Sequence, residues 1–130
     1  MSVRVRNQVI VVASLDADEK SVQFERQDKT LTSVVNTYDV ENSGQIVLAA
    51  SEANYTIPLG KVAHGNFLYI ETDQELRIFL DGELTGHLIR PTAGTKGKFM
   101  LHSYFSAAPV VSNISTSEAN VAFFIAGSKT

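Results

Sequence analysis

Hydrophobic and polar positions alternate most regularly in residues 67–84. Leu76, Ile78 and Leu80 fall on one side of this segment, with polar or aromatic residues between them. A period of two is typical of a β-strand with one buried face. The dipeptide Asp81-Gly82 favours a tight hairpin, because a type I′ turn needs positive φ at both central residues. The segment is therefore predicted to contain a strand, a polar turn, a second strand, an Asp-Gly turn and a third strand.

The N-terminal forty residues have the same strand-like character. Alternate residues from Val3 to Leu15 are apolar apart from Asn7, and the positions between them become apolar at Ile10 and Val12. This pattern predicts one long strand that is buried on both faces near its middle, or whose second apolar face contacts another subunit. Polar turns are predicted at residues 16–20 and 27–30, and each is followed by a strand, at residues 21–27 and 31–40. The turn at 16–20 is alternatively a short helical turn.

The rest of the chain is divided into short strands by turn residues. Asn42-Ser43-Gly44 predicts a turn, because these residue types tolerate positive φ. Pro58 has no backbone N–H to donate to a sheet, so its strand is placed at an edge. The segment Pro91–Gly97 is the most loop-like. Short strands are predicted at residues 46–50, 55–59, 98–105, 110–114 and 120–126.

The spacing of these strands indicates the fold class. About ten short strands separated by turns are typical of a sandwich or barrel. We therefore predict an all-β fold, an antiparallel β-sandwich or jelly-roll-like barrel of about eight to ten short strands. No linker, repeat or low-complexity tract divides the chain, so residues 1–130 are predicted to form a single domain.

Composition narrows the function classes. The chain has no Cys and no Trp, which excludes disulfides, zinc–thiolate sites and cysteine nucleophiles. The net charge of −3, with both signs interspersed, lacks the basic surplus of nucleic-acid-binding proteins, so no nucleic-acid partner is expected. The apolar run Val9–Ala13 is too short for a signal-peptide core or a membrane span. We expect no secretory leader and no membrane partner.

Residues with metal-binding side chains form no recognisable motif. His64, His87 and His102 lack the short spacings of zinc sites, although the last two could converge if their strands pair. The segment Asp16-Ala17-Asp18-Glu19 begins like a calcium loop, but the required glycine and closing glutamate are missing. It is interpreted as a solvated acidic turn, and no metal ligand is predicted.

Other short motifs are equally incomplete. Gly94–Lys98 has two residues between its glycines, whereas a P-loop has four and is followed by a helix; we interpret it as a hairpin connection. Asn54-Tyr55-Thr56 and Asn113-Ile114-Ser115 match the glycosylation sequon at the level expected by chance. No Gly-x-Ser-x-Gly elbow is present. We predict no catalytic, cofactor-binding or metal-binding residues, no cofactor and no enzymatic activity.

Apolar residues on both faces of the same strand favour a role in assembly. Phe67–Ile70 and Val121–Ala126 are examples. A sandwich buries one face of each strand. The other face is either covered, as in central strands, or contacts another subunit, as in an obligate oligomer. The N-terminal strand is also suited to adding to the exposed sheet edge of a neighbouring molecule.

The segment Lys61–Gly82 resembles a pattern in small virion proteins of tailed phages, where one strand is followed by a second that ends in Asn-Gly or Asp-Gly. The runs Lys98–His102 and Glu118–Gly127 are similar to the closing strands of such proteins. The resemblance covers about the C-terminal half, rests on hydrophobic pattern, and brings no catalytic or binding residue with it.

This resemblance implies a β-sandwich structural component of a phage particle, such as a head-decoration (cement) protein or a small tail or neck protein. It implies a location in the virion after synthesis in the host cytoplasm. It also implies a homo-oligomer, with trimers common in this class, and contacts with other virion proteins such as the major capsid protein.

A carbohydrate-binding β-sandwich is the main alternative, because Leu76–Leu84 is also similar to the strand–turn–strand unit of laminin-G and legume-lectin-like folds. A sugar site usually needs an aromatic platform, which Tyr or Phe would have to supply here. Alternation places most of the tyrosines in or near the core: Tyr38, Tyr55, Tyr69 and Tyr104. A subunit of a host-cell β-sandwich complex is a third alternative.

Overall fold

The computed structural model describes the backbone of residues 3–7, 10–14, 22–27 and 34–130, and the side chains from Tyr38 onward. Every regular element in these ranges is a β-strand, so the prediction of an all-β fold is confirmed. The described residues contain no helix of the length and hydrophobicity that a membrane crossing requires. The strands are β1 (Val3–Asn7), β2 (Ile10–Ser14), β3 (Val22–Gln27), β4 (Val34–Tyr38), β5 (Val40–Leu48), β6 (Tyr55–Thr56), β7 (His64–Thr72), β8 (Leu76–Phe79), β9 (His87–Ile89), β10 (Gly97–Leu101), β11 (Val110–Asn113) and β12 (Ala119–Ser128).

The segment Arg4–Thr37 forms one compact unit, and the remainder of the chain forms a second. In the first unit β2 pairs with β3 in antiparallel orientation, while β1 pairs with β4. The prediction of one long N-terminal strand is therefore wrong, because its two halves join different partners. The acidic segment at residues 16–19 and the turn at 28–30 lie outside the described residues.

The second unit contains two antiparallel sheets of four strands each, consistent with a β-sandwich. The first sheet has the order β10-β7-β12-β5, and the second has the order β6-β11-β8-β9. Apolar side chains of both sheets form one core, since alternate residues of each strand point inward. Fully buried members include Leu68, Ile70 and Ile125 of the first sheet and Leu76, Ile78 and Val111 of the second.

For the regular segment around β8, the predicted buried face is confirmed, whereas the predicted tight hairpin is wrong. Leu76, Ile78 and Leu80 are buried as predicted. Asp81 and Gly82 have φ values of 46° and 78°, as an Asp-Gly turn requires. The partner strand β9, however, starts only at residue 87, opposite Ile78. The connection is a loop, and β7 and β8 lie in different sheets, so residues 73–75 carry the chain from one sheet to the other.

The turn predicted at Asn42-Ser43-Gly44 is wrong, because these residues lie within β5. This strand pairs with β12 along its whole length, with Phe123 opposite Gly44. A Cβ atom at Gly44 would lie 3.3 Å from the Phe123 ring, so the glycine makes room for a core aromatic. Polar residues are tolerated in β5 because residues 43–45 are exposed and, among the described strands, β5 lies at the edge of its sheet. The edge position predicted for residues 55–59 is confirmed for β6, although this strand contains only Tyr55 and Thr56.

Candidate functional site

The outward side of the first sheet carries a row of large apolar side chains. Met100 of β10 lies opposite Tyr69 of β7, and Tyr69 lies opposite Phe124 of β12. Phe67 lies on the same side, where its ring packs edge-on against Phe124 with centroids 6.1 Å apart. Met100 is 44% exposed. We call Phe67, Tyr69, Met100 and Phe124 the aromatic outer face.

This face explains the apolar runs that occupy both sides of two strands. In β7 and β12 one set of alternate residues enters the core, whereas Phe67 is buried without belonging to the core cluster. Phe124 and Tyr69 are half-buried. The two strands are the inner strands of the sheet, so their outward positions are shielded by neighbours on both sides. The apolar surface that remains exposed is concentrated at Met100.

A charged cluster borders the aromatic outer face on one side. The Tyr69 hydroxyl donates a hydrogen bond of 2.7 Å to Glu71 Oε2, and Lys96 Nζ lies 3.5 Å from Glu71 Oε1. Burial, together with the hydrogen bond and negative charge of Glu71, raises the pKa of Tyr69 to about 12. The same hydrogen bond, with help from Lys96 and Lys98, lowers the pKa of Glu71. Glu71 therefore stays ionised and holds the Tyr69 ring in place.

The opposite border is formed by Tyr38 and His102. The Tyr38 hydroxyl lies 3.0 Å from His102 Nε2, and burial raises the pKa of Tyr38. The His102 ring packs edge-on against Phe67 at 5.9 Å between centroids. The aromatic outer face thus continues into a histidine and a tyrosine whose polar atoms satisfy each other.

The three histidines do not converge. His87 lies in β9 and contacts Glu83, with Nε2 to Oε2 at 3.2 Å, and His102 follows β10. These strands lie in different sheets, so the pairing that would bring them together does not occur. His64 is adjacent to Tyr104, with ring centroids 5.7 Å apart. Among the described residues no group of three or more His, Asp or Glu side chains has the geometry to hold a metal ion.

Tyr104 differs from the sequence expectation for the tyrosines. Its side chain is 58% exposed, and its hydroxyl lies 3.3 Å from His64 Nδ1. Tyr55, by contrast, packs against the core as expected. Tyr104 is exposed because β10 ends at Leu101, so alternation no longer dictates the direction of the side chains that follow.

The carboxylate of Asp81 connects two loops. It accepts hydrogen bonds from the backbone N–H of Ser106 at 3.0 Å and of Ala107 at 2.8 Å. The loop that contains Asp81 forms one wall of an open groove of about 490 Å³, where Leu84 is 96% exposed. Asp81 is therefore committed to holding the loop in place, and its bonds explain why the Asp-Gly turn does not close a short hairpin.

The asparagine of one of the two sequons is buried and hydrogen-bonded within the fold. Asn113 is 1% exposed, and its amide donates to the carbonyls of Ala49 at 2.9 Å and Ser117 at 2.8 Å. A glycan cannot be attached to a side chain buried in this way. Asn54 of the other sequon is exposed and has φ of 58°.

The loop at residues 91–97 forms an open groove of about 430 Å³ together with Asp73. Asp73 accepts hydrogen bonds from the backbone and side chain of Asn120, both at 2.8 Å. Burial alone would raise the pKa of Asp73, but these hydrogen bonds outweigh it and lower the pKa. The loop leads into β10 and not into a helix, as expected of a segment that is not a P-loop. The prediction of a hairpin connection is wrong, because β9 and β10 lie in different sheets.

No catalytic, cofactor or metal residue is predicted from the sequence, and the aromatic outer face is predictable from it only in part. The sequence feature that indicated this face was the pair of apolar runs in β7 and β12. Met100 was missed, although the alternation of Lys98 and Met100 with Phe99 and Leu101 in β10 indicates that Met100 points away from the core. Comparison of the chain with known protein families, with curated proteins and with solved structures finds no match.

Proposed function

We propose that this protein is a structural component that works by packing against other proteins, as a head-decoration (cement) protein or a small tail or neck protein does in a tailed-phage particle. The observation that carries the proposal is the aromatic outer face. It gives an all-β scaffold an apolar surface on the side of the first sheet away from the core.

Met100 is the most exposed residue of the aromatic outer face. Burying a whole Met or Phe side chain contributes about 1.5–3 kcal/mol, so covering the 44% of Met100 that is exposed contributes on the order of 1 kcal/mol. Phe124 and Tyr69 are already half-buried, and a partner would need to order few further atoms to complete their burial. Such a surface suits an interface that is rigid before it binds.

The best-bonded polar side chains of the described residues serve the scaffold. Asp81, Asn113 and Asp73 all accept or donate hydrogen bonds that hold loops to strands. Their bonding capacity is used within the chain, which supports a role in packing. The resemblance of Lys61–Gly82 and of the closing strands to phage virion proteins supplies the class of particle.

The assignment to a virion is tested by mass spectrometry of particles released by the host that carries the gene. We expect this protein at a stoichiometry that matches a structural component, together with the major capsid protein. Its absence from purified particles would overturn the assignment to a virion.

The role of the aromatic outer face is tested by a matched pair of variants. Met100→Ser and Ile114→Ser each remove one partly exposed apolar side chain, since Met100 is 44% and Ile114 is 42% exposed. We expect only the first to reduce incorporation into particles or self-association. Equal effects of the two changes would refute an interface at this face.

Tyr104 favours a second candidate function, carbohydrate binding. An exposed ring beside a histidine can stack on the apolar face of a sugar while the polar atoms bind hydroxyl groups. A glycan array with the natural protein and the Tyr104→Ala variant tests it. Binding that disappears in the variant would support this candidate, and no binding across a broad panel would eliminate it.

A further inference from the structure

We propose that the open edge of β5 binds the same edge of a second copy of this chain, in an antiparallel pairing centred on Gly44. The inference rests on the proposed role in assembly and identifies a partner surface separate from the aromatic outer face. Two four-stranded sheets would join through it into one continuous sheet.

The first observation is the length of the edge. β5 has nine residues, all paired with β12 on one side without a register shift, and none of the described strands pairs with its other side. The other edge strands of the two sheets are shorter: β10 has five residues, β9 three and β6 two. At about 3.3 Å per residue, β5 presents a row of about 30 Å in which alternate residues direct N–H and C=O groups outward.

The second observation is that β5 lacks the features that normally protect an edge. Proteins block edge pairing with lysine, proline, bulges or very short strands. β10 contains Lys98, Pro58 lies two residues after β6, and Arg90 and Pro91 follow β9. β5 contains neither lysine nor proline, and its one charged residue is Glu41 near its start.

The third observation is that β5 complements itself. In an antiparallel pair centred on Gly44, all nine residues find a partner, and Ser43 of one copy lies opposite Gln45 of the other, on the outward side. These two side chains can form a hydrogen bond across the pair. Glu41 lies opposite Val47, so the two Glu41 carboxylates are about 20 Å apart along the strands and beyond the screening length of about 8 Å at physiological salt.

The register also keeps like charges apart. Val47 is 58% exposed and lines a groove of about 280 Å³ that contains Glu71 and Lys96, which lie 3.5 Å apart as an ion pair. The pairing places Glu41 of the second copy opposite Val47, at the side of this groove, where the paired charges of Glu71 and Lys96 offset each other. Sliding the pair so that the two copies of Glu41 face each other would leave most of β5 unpaired.

The absence of cysteine from the chain allows a direct test of the register. Residues directly opposite in an antiparallel pair have Cα atoms about 4.5–5.5 Å apart, within the range that a disulfide spans. We expect an equimolar mixture of the Ser43→Cys and Gln45→Cys chains to form a cross-linked dimer under mild oxidation. Val47→Cys alone is the control, because its two copies would be about 20 Å apart. Cross-linking of the control as fast as the mixture would overturn the pairing.

A charge test measures the contribution of the same contact in solution. In the Ser43→Lys/Gln45→Lys variant each new lysine faces another across the pair, whereas in Ser43→Lys/Gln45→Glu each lysine faces a glutamate. We expect light scattering after size exclusion to show dimers of the natural protein, weakened about tenfold by the double lysine and retained with the opposite charges. Ser103→Lys/Thr116→Lys, at two exposed positions outside the strands, should leave the dimer unchanged. Circular dichroism verifies that each variant folds.

The outcomes separate this inference from the proposed function. A natural protein that is monomeric at all concentrations overturns the edge pairing, and the virion assignment is then decided by the particle proteome. A trimer, or a dimer that resists the double lysine and fails to cross-link at residues 43 and 45, overturns the edge pairing and leaves the role in assembly standing. A dimer that cross-links in the mixture and responds to charge supports the edge pairing, and the virion assignment is again decided by the particle proteome.

Discussion

The substitution Asn113→Asp changes one buried atom and should destabilise the fold strongly. Asn113 Nδ2 lies 2.9 Å from the carbonyl oxygen of Ala49 and 2.8 Å from that of Ser117. Asn113 Oδ1 accepts from the backbone N–H of Ser115 at 3.0 Å and from its hydroxyl at 2.8 Å. Aspartate has the same shape, but it places an oxygen where the amide donates, so two carbonyl oxygens face a third oxygen.

The magnitude follows from these contacts. Each lost hydrogen bond costs about 1 kcal/mol, and a buried polar group left unpaired costs about 1–3 kcal/mol more. Because the site is closed to water, an ionised carboxylate adds a desolvation cost. We expect the free energy of unfolding to fall by about 4 kcal/mol at neutral pH. This is a large part of the roughly 5–15 kcal/mol by which domains are usually stable.

The loss should depend on pH with a defined sign. Burial and the facing carbonyls would raise the pKa of the introduced carboxyl group in the folded state above the value of about 3.9 in the unfolded chain. Below that pH both states are protonated, and the carboxyl group can donate one of the two hydrogen bonds. As the pH rises through about 3.9, the unfolded state loses its proton first, so the variant loses stability relative to the natural protein.

Urea unfolding followed by circular dichroism measures the effect at about pH 4 and about pH 7, with the natural protein at each pH as reference. Asn54→Asp is the control, because Asn54 belongs to the other sequon and is exposed. We expect the control to change the free energy of unfolding by less than about 0.5 kcal/mol. A loss for Asn113→Asp below about 1 kcal/mol, or a loss that is equal at both pH values, would refute the reasoning.

Contacts of Gly65, Glu71 and Asp81 lead to further expected outcomes. Gly65→Ala should lower the free energy of unfolding by about 3 kcal/mol in urea titrations, because the new Cβ atom would overlap the ring of Phe105; a loss below about 1 kcal/mol would mean that the ring can move aside. Glu71→Gln should lower the pKa of Tyr69 from about 12 but keep it above 10.0, because burial remains; a spectrophotometric titration with no change would exclude the negative charge of Glu71 as a cause. Asp81→Ala should cost about 1–2 kcal/mol in thermal unfolding and Asp81→Asn less, since Asn retains an acceptor and tolerates positive φ; equal losses would contradict this order.

The sequence predicted strands well where one face alone enters the core. Leu76, Ile78 and Leu80 show this, and so does β12, where the apolar residues continue on both sides because the strand is central. Alternation reports the burial of each residue and contains no information on which strand is the neighbour. For this reason the alternation in residues 67–84 could not indicate that β7 and β8 belong to different sheets.

The errors have local physical causes. Asn42-Ser43-Gly44 has the composition of a turn, but the segment is held extended by nine residues of pairing with β12 and by the need of Phe123 for space. The Asp81-Gly82 turn has the predicted φ values, yet the carboxylate of Asp81 binds a distant loop, and no pattern within the segment could indicate that. The apolar runs in β7 and β12 were sufficient to predict part of the aromatic outer face. The exposure of Met100 could not be predicted, because it depends on the position of β10 at the edge of the sheet.

The position of β12 has a consequence for synthesis. This strand lies between β7 and β5 in the first sheet, although it comes after both in the chain. While a ribosome is still adding residues 119–128, β5 and β7 have no strand to join them, and their apolar side chains stay unprotected. Within the two four-stranded sheets only β8 and β9 are both paired and adjacent in sequence, and such non-local pairing is typical of folding in milliseconds to seconds. The nascent chain therefore depends on β12 to complete its first sheet.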